Sequence, residues 1–345
     1  MSVSRPPRRL FQFSLRGLLF ALTAVGGWLG THVNRVKNQR EAVAELKKVN
    51  GLLAYEYQLG PANSPLFDDV YGGFGPGWSS MTQGPTEPFG PKALHRFLGE
   101  DFFNDVVNVA LIGDTRDHHL PPLRKLARLE ALQLAKHHPC GANNLTDRGL
   151  GQLCGMKALR ILHIWKATRV TNSGLAELRR LTKLEELVIE CPNLTDEGIN
   201  RLSSLHNLRR LSIISDRVTD AGIRHLTTLG NLWELHLTSS RIEGTGLPHL
   251  ERMKNLRALG IRAPITDAML AHLHEQPNLQ VIHVDSDDIT DQGVVQLEAA
   301  LPDCTIVFGW IRWHWNASLA DVQTFASKTA RRQKQQRALA TATQL

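Results

Sequence analysis

A six-residue pattern, apolar-Thr-Asp-x-Gly-apolar, returns at a nearly constant interval through the second half of the chain. No other feature limits the fold as severely. It reads LTDRGL from Leu145, VTNSGL from Val170, LTDEGI from Leu194, VTDAGI from Val218, IEGTGL from Ile242, ITDAML from Ile265 and ITDQGV from Ile289. Successive starts lie 25, 24, 24, 24, 23 and 24 residues apart. Periods of this length mark arrays in which each unit is one supersecondary element. A second element, L-x-x-L-x-L, precedes each copy, as in Leu159/Leu162/Ile164, Leu184/Leu187/Ile189, Leu208/Leu211/Ile213 and Leu232/Leu235/Leu237. An earlier form stands at Leu129/Leu132/Leu134, and Val106/Val109/Leu111 is a degenerate one.

Two periodicities alternate within each unit. The end of L-x-x-L-x-L has period two, so Leu132 and Leu134 share one face of a short strand while Gln133 faces the other way. Thr and Asp then suit a helix start, because their side-chain oxygens accept from free N–H groups of the first turn. Leu150, Leu153 and Met156 follow at helical spacing and point back to the strand leucines. The Gly of each copy lets the helix start pack closely, a rule that Met269 breaks. One unit cannot bury its apolar face alone, but stacked units can. The expected fold is α/β: a solenoid, horseshoe-shaped, with a parallel β-sheet on the concave face and helices on the convex face.

These motifs resemble the leucine-rich repeat family, in particular the 24-residue ribonuclease-inhibitor-like and cysteine-containing class, over about residues 103–309. That resemblance implies recognition of protein partners. Members with the cysteine-containing signature often serve as substrate-recognition arms of F-box ubiquitin ligases, but no F-box-like segment is present here. The Asn or Cys expected three residues past the last apolar strand residue is replaced by Pro192, Asp216, Ser240, Pro264 and Asp287. The prefix FSLRGLLFAL, followed by REAVAELKKVNGLLAYEYQ and GEDFFNDVV, is similar instead to signal-anchored repeat proteins of bacteria.

Gly17 to Asn34 carries no formal charge and is bracketed by Arg16 and Arg35. As a helix it would measure about 27 Å, near the lower limit for a bilayer span. The reading adopted is a single-pass anchor with a cytoplasmic amino terminus and the repeats outside the cytoplasm. A cleaved signal peptide and a buried soluble helix stay open as alternatives. The expected organisation is a basic segment (1–16), the transmembrane or signal-anchor helix (17–34), a juxtamembrane helix and cap strand (35–59), a Gly/Pro-rich loop (60–91), the repeat domain (92–309), and a C-terminal cap and basic tail (310–345). In that cap Trp310, Trp313 and Trp315 would cover the last repeat.

The formal charge of +7 belongs to the ends. Residues 1–40 hold seven basic residues and no acids, and residues 310–345 hold six against Asp321. The remaining 27 basic and 32 acidic residues leave the body at −5. Nucleic-acid binding by the repeat domain is therefore not expected. Four cysteines exclude a disulfide-dense scaffold.

The side chains between inward leucines define columns on the concave face. Glu186, Arg210 and Glu234 form one; Trp165, Glu190, Ile214, Thr238, Arg262 and Asp285 form another; His163, His236 and His283 share the centre. The expected partner-binding set is Trp165, Glu190 and Asp285, with Glu186, Arg210, Glu234, His236, Arg262 and His283, and Trp165 is read as an exposed anchor. The histidines lie too far apart to share a metal and are read as solvent-exposed or partner-contacting. His137-His138-x-Cys140 is read as a polar insertion. Phosphate-binding, zinc-protease and serine-hydrolase motifs are missing. The chain is accordingly expected to be non-catalytic, with no cofactor and no metal, binding a protein partner or serving as an envelope scaffold.

Overall fold

The computed structural model describes residues 15–55, 88, 90, 92–136, 143–274, 276 and 278–308. The basic segment 1–14, most of the Gly/Pro-rich loop, the His137–Cys140 insertion, the tryptophan cap and the basic tail lie outside the described residues. The strands are β1 (Gly51–Tyr55), β2 (Val106–Ile112), β3 (Ala131–Lys136), β4 (Asn143–Thr146), β5 (Ile161–Ile164), β6 (Ala167–Arg169), β7 (Glu186–Glu190), β8 (Arg210–Ile214), β9 (Glu234–Thr238), β10 (Ala258–Arg262), β11 (Val281–Asp285) and β12 (Thr305–Phe308). Ten of them form one sheet in the order β1-β2-β3-β5-β7-β8-β9-β10-β11-β12, and β4 pairs with β6 apart from it. Every neighbour in the large sheet is parallel except β1, which runs antiparallel to β2.

Between strands run the helices α3 (Asp147–Leu153), α4 (Asn172–Glu177), α5 (Asp196–Leu202), α6 (Asp220–Leu226), α7 (Asp267–Leu270) and α8 (Asp291–Ala300). The unit that starts at Ile242 forms a 3-10 helix, Leu247–Arg252, instead. The strand leucines and the helix residues Leu150, Leu153, Leu175, Ile199, Leu202, Ile223, Leu226 and Leu297 belong to one continuous buried core. This is the stacked-repeat arrangement that the two periodicities require.

The Thr of the pair caps its own helix at Thr171, Thr219 and Thr290, whose Oγ1 accepts from the Ser173, Ala221 and Gly293 amides at 3.2, 3.2 and 3.3 Å, while the Asp acts elsewhere. Each Thr occupies the N-cap position, but the following Asp reaches across to the next repeat. Asp196 accepts from the Thr219 amide at 2.9 Å and from Thr219 Oγ1 at 2.7 Å. Asp117 does the same to Thr146 (2.9 and 2.5 Å), Asp147 to Thr171 (2.7 and 2.6 Å) and Asp267 to Thr290 (2.9 and 2.5 Å). Asn172 substitutes as an amide, with Oδ1 accepting from the Thr195 amide at 3.1 Å and Nδ2 donating to its Oγ1 at 2.8 Å. A carboxylate held by a backbone amide and a hydroxyl is a charge-assisted bridge between neighbours.

That bridge explains the glycine and its exception. A Cβ on Gly222 would stand 2.5 Å from Asp196 Oδ1, and Gly149, Gly174, Gly198 and Gly293 face the bridging residue before them in the same way. In the unit from Ile242 the Asp position is Gly244, so no carboxylate projects onto the next unit. There the Gly position is Met269, whose Cβ lies 2.5 Å from where a Cβ on Gly244 would be. The two departures compensate each other.

A second ladder starts three residues before the apolar-Thr-Asp motif. Ser215, Ser239 and Ser286 donate from Oγ to Leu194, Val218 and Ile265 carbonyls at 2.8, 2.6 and 2.9 Å. Cys191 Sγ stands in the same column, 3.2 Å from the Val170 carbonyl. The Ser/Cys position thus lies one residue before the column Pro192, Asp216 and Ser240 in which the family's Asn or Cys was sought.

Helix α1 (Leu15–Lys48) closes the amino-terminal end as a single 34-residue element rather than two. Its second half buries Val36, Gln39, Ala42, Val43 and Leu46. Gln39 ties the helix to the sheet: Nε2 donates to the Asn104 carbonyl at 2.8 Å and Oε1 accepts from the Val106 amide at 3.1 Å. The first half, from Leu19 to Thr31, is exposed throughout. Among the described residues no helix is long and apolar enough to cross a membrane. The spanning helix expected over 17–34 is therefore not supported: Gly26, Gly27, Gly30, Thr31 and His32 dilute the run.

Candidate recognition face

The sheet face away from the leucine core carries three columns, set by strict register. Glu186 pairs with Arg210 and Arg210 with Glu234; Val188 pairs with Ser212 and Ser212 with His236; Glu190 pairs with Ile214 and Ile214 with Thr238. The columns continue through Gly260 to His283 and through Arg262 to Asp285. Parallel neighbours stand about 4.8 Å apart, so each column is a row of side chains at that spacing.

The first two columns form a polar floor rather than an open surface. His163 is fully buried, with Gln133 Nε2 3.2 Å from its Nδ1 and its Nε2 donating to Glu186 Oε1 at 2.6 Å. The other oxygen of Glu186 takes an ion pair from Arg210. Burial would raise the Glu186 carboxyl, but the hydrogen bond from His163 and the guanidinium of Arg210 outweigh it and hold it below the usual value. Four consecutive strands, β3, β5, β7 and β8, are thereby joined by one chain of polar contacts. On β9, His236 Nε2 lies 2.8 Å from Glu234 Oε1. The His236 ring leans over β10, where a Cβ on Gly260 would collide with Nδ1. Gln133 Oε1 and Ser212 Oγ are buried without a hydrogen-bond partner.

These positions correct the sequence reading at six residues. Trp165 is 4% exposed, not an open anchor, because it packs with Val188 and Ile214 from the next two strands and sets its edge against the His163 ring. Glu186 and Glu234 are buried, and His163, His236 and His283 are buried rather than solvent-facing. The reason is common to all six: on a sheet of short parallel strands, large side chains in adjacent columns fill one another's space.

The third column is the accessible one. Glu190, Ile214, Thr238 and Asp285 are half-buried and Arg262 is exposed. Arg262 Nε lies 3.2 Å from Asp285 Oδ2, an ion pair at the surface. Arg210 is half-buried at the boundary between floor and rim. Gln133, Val188, Ser212 and Gly260 shape the floor and were not singled out from the sequence. Their signal was available: each stands between the last two apolar residues of its L-x-x-L-x-L element, in the column of the histidines. Among the described residues no group of three or more His, Cys, Asp or Glu could hold a metal ion.

No family model and no curated protein matches this chain. Among solved structures it is similar to the crystal structure of an internalin from Listeria monocytogenes, at 18% identity over 73% of this chain and 76% of that one, with a TM-score of 0.39. The parallel-sheet repeat fold described above fits leucine-rich repeat proteins generally.

Proposed function

We propose that this chain is a non-catalytic recognition protein that binds a protein partner along the accessible column Glu190, Ile214, Thr238, Arg262 and Asp285. One observation carries the reading. A floor whose ionisable side chains His163, Glu186, Arg210, Glu234 and His236 are already paired presents, at its rim, a row of unlike side chains in unbroken strand register. A surface of that kind offers shape and charge without an activated nucleophile or a free acid–base pair. An apolar position, Ile214, between Glu190 and Thr238, with the Arg262–Asp285 pair beyond, suits a partner segment that carries both apolar and charged side chains. The 24-residue units and the Cys191/Ser215/Ser239/Ser286 column support assignment to the ribonuclease-inhibitor-like and cysteine-containing class of leucine-rich repeats.

The test uses the full chain as bait, with Glu190→Ala/Arg262→Ala beside wild type and circular dichroism to verify folding. Loss of the captured proteins in the folded variant supports recognition by the rim. An unchanged set of captured proteins contradicts it.

A further inference from the structure

We propose that the amino-terminal end of the solenoid docks on the surface of an anionic lipid bilayer, using the first half of α1 together with α2 (Lys92–Leu98). Two elements distant in sequence expose large apolar side chains at this end. On α1 these are Leu19, Phe20, Leu22, Val25, Trp28, Leu29 and Val33; on α2 they are Leu94 and Phe97, the latter 82% exposed. Contiguous exposed apolar surface on an otherwise polar protein marks a contact site.

An aromatic relay holds the two elements together. Trp28 stacks on His32 at 5.3 Å, His32 meets Phe102 at 4.7 Å, Phe102 meets Phe103 at 5.0 Å, and Phe103 meets His95 of α2 at 4.8 Å. Arg40 of α1 also donates to the Leu98 carbonyl at the end of α2. Both apolar sets therefore present from one rigid corner of the molecule.

Charge selects the occupant. Residues 1–40 carry seven basic residues and no acid, and Arg96 is exposed on α2. Two copies meeting through this corner would bring like charges together, whereas anionic headgroups complement them. The apolar side chains enter the boundary between headgroups and acyl chains, as interfacial helices do. Trp28 suits that depth.

The experiment is flotation of the full-length chain with phosphatidylcholine vesicles and with vesicles of phosphatidylcholine mixed with phosphatidylserine. The expected result is flotation with the anionic vesicles, loss of the bound protein in alkaline carbonate, and binding about tenfold weaker or less in Phe97→Glu and in Leu22→Glu. Both side chains are exposed, so both variants keep the wild-type circular dichroism spectrum. Three results would overturn the proposal: no flotation of wild type, equal flotation of the variants, or binding that resists carbonate and thus reports a spanning helix. A lipid-independent dimer abolished by the same substitutions would also overturn it, in favour of a second copy.

Discussion

Gly222→Ala is expected to destabilise the solenoid even though alanine is the better helix residue. The added Cβ would sit 2.5 Å from Asp196 Oδ1, 2.9 Å from Ile199 Cδ1 and 3.3 Å from Val218 Cγ1. The Ile and Val contacts involve ends of side chains that can yield. The carboxylate can yield only by leaving the Thr219 amide and hydroxyl. Losing a charge-assisted pair of hydrogen bonds costs about 2–4 kcal/mol at a half-buried site. Alanine recovers about 1 kcal/mol of helix propensity. The net expectation is a loss of about 1–3 kcal/mol, read as a lower midpoint in urea unfolding followed by circular dichroism. Asp196→Ala removes the bridge and should cost a similar amount. In that background Gly222→Ala meets no carboxylate and becomes neutral or stabilising by up to about 1 kcal/mol. The coupling between the two sites is therefore about 1–4 kcal/mol, the double variant being more stable than simple addition would make it. If Gly222→Ala is as costly without the Asp196 carboxylate as with it, the carboxylate is not what excludes the side chain, and the explanation of Met269 fails with it.

Other outcomes follow from the recognition face. Glu186 ionises more readily in the folded chain than its usual value of 4.5, so it contributes stability that is complete above that value and lost as pH falls through its lower folded value. Wild type should weaken across that acid window while Glu186→Gln shows a flatter profile in thermal unfolding, and Glu186→Ala should cost about 3 kcal/mol at neutral pH by stranding Arg210 and His163. Trp165→Ala should lower stability by about 3 kcal/mol through lost packing, measured in the same assay. Arg262→Ala, at an exposed site, should change it by less than about 0.5 kcal/mol, which makes it the clean probe of binding.

The strands, the helices and their order are readable in the sequence because period two and period 3.6 alternate at a fixed interval, and register follows once Leu187, Leu211 and Leu235 must all face inward. Less readable is what adjacent repeats do to each other. Asp196 looks like a helix cap when its own repeat is considered alone; only stacking shows that it serves Thr219 in the next. Trp165 looks exposed when its column is compared with Glu190 and Arg262, because one of the neighbours that cover it, Val188, belongs to a different position of the repeat. The Ser/Cys column was sought three residues after the last apolar strand residue, whereas it stands two after it, at Cys191, Ser215, Ser239 and Ser286.

Strand register underlies both the bridging ladders and the rim, and a disulfide can measure it. Glu190 and Ile214 are paired positions on β7 and β8, at about 4.8 Å by parallel strand spacing, inside the range of about 4.4–6.8 Å between Cα atoms that a disulfide spans. In a chain cleared of its native cysteines, Glu190→Cys/Ile214→Cys should close to an intramolecular disulfide under mild oxidation, detected by mass spectrometry of the digested protein, and Glu190→Cys/Ser212→Cys should not. Closure of the second pair in preference to the first, or of neither, would contradict the stacking on which this account stands.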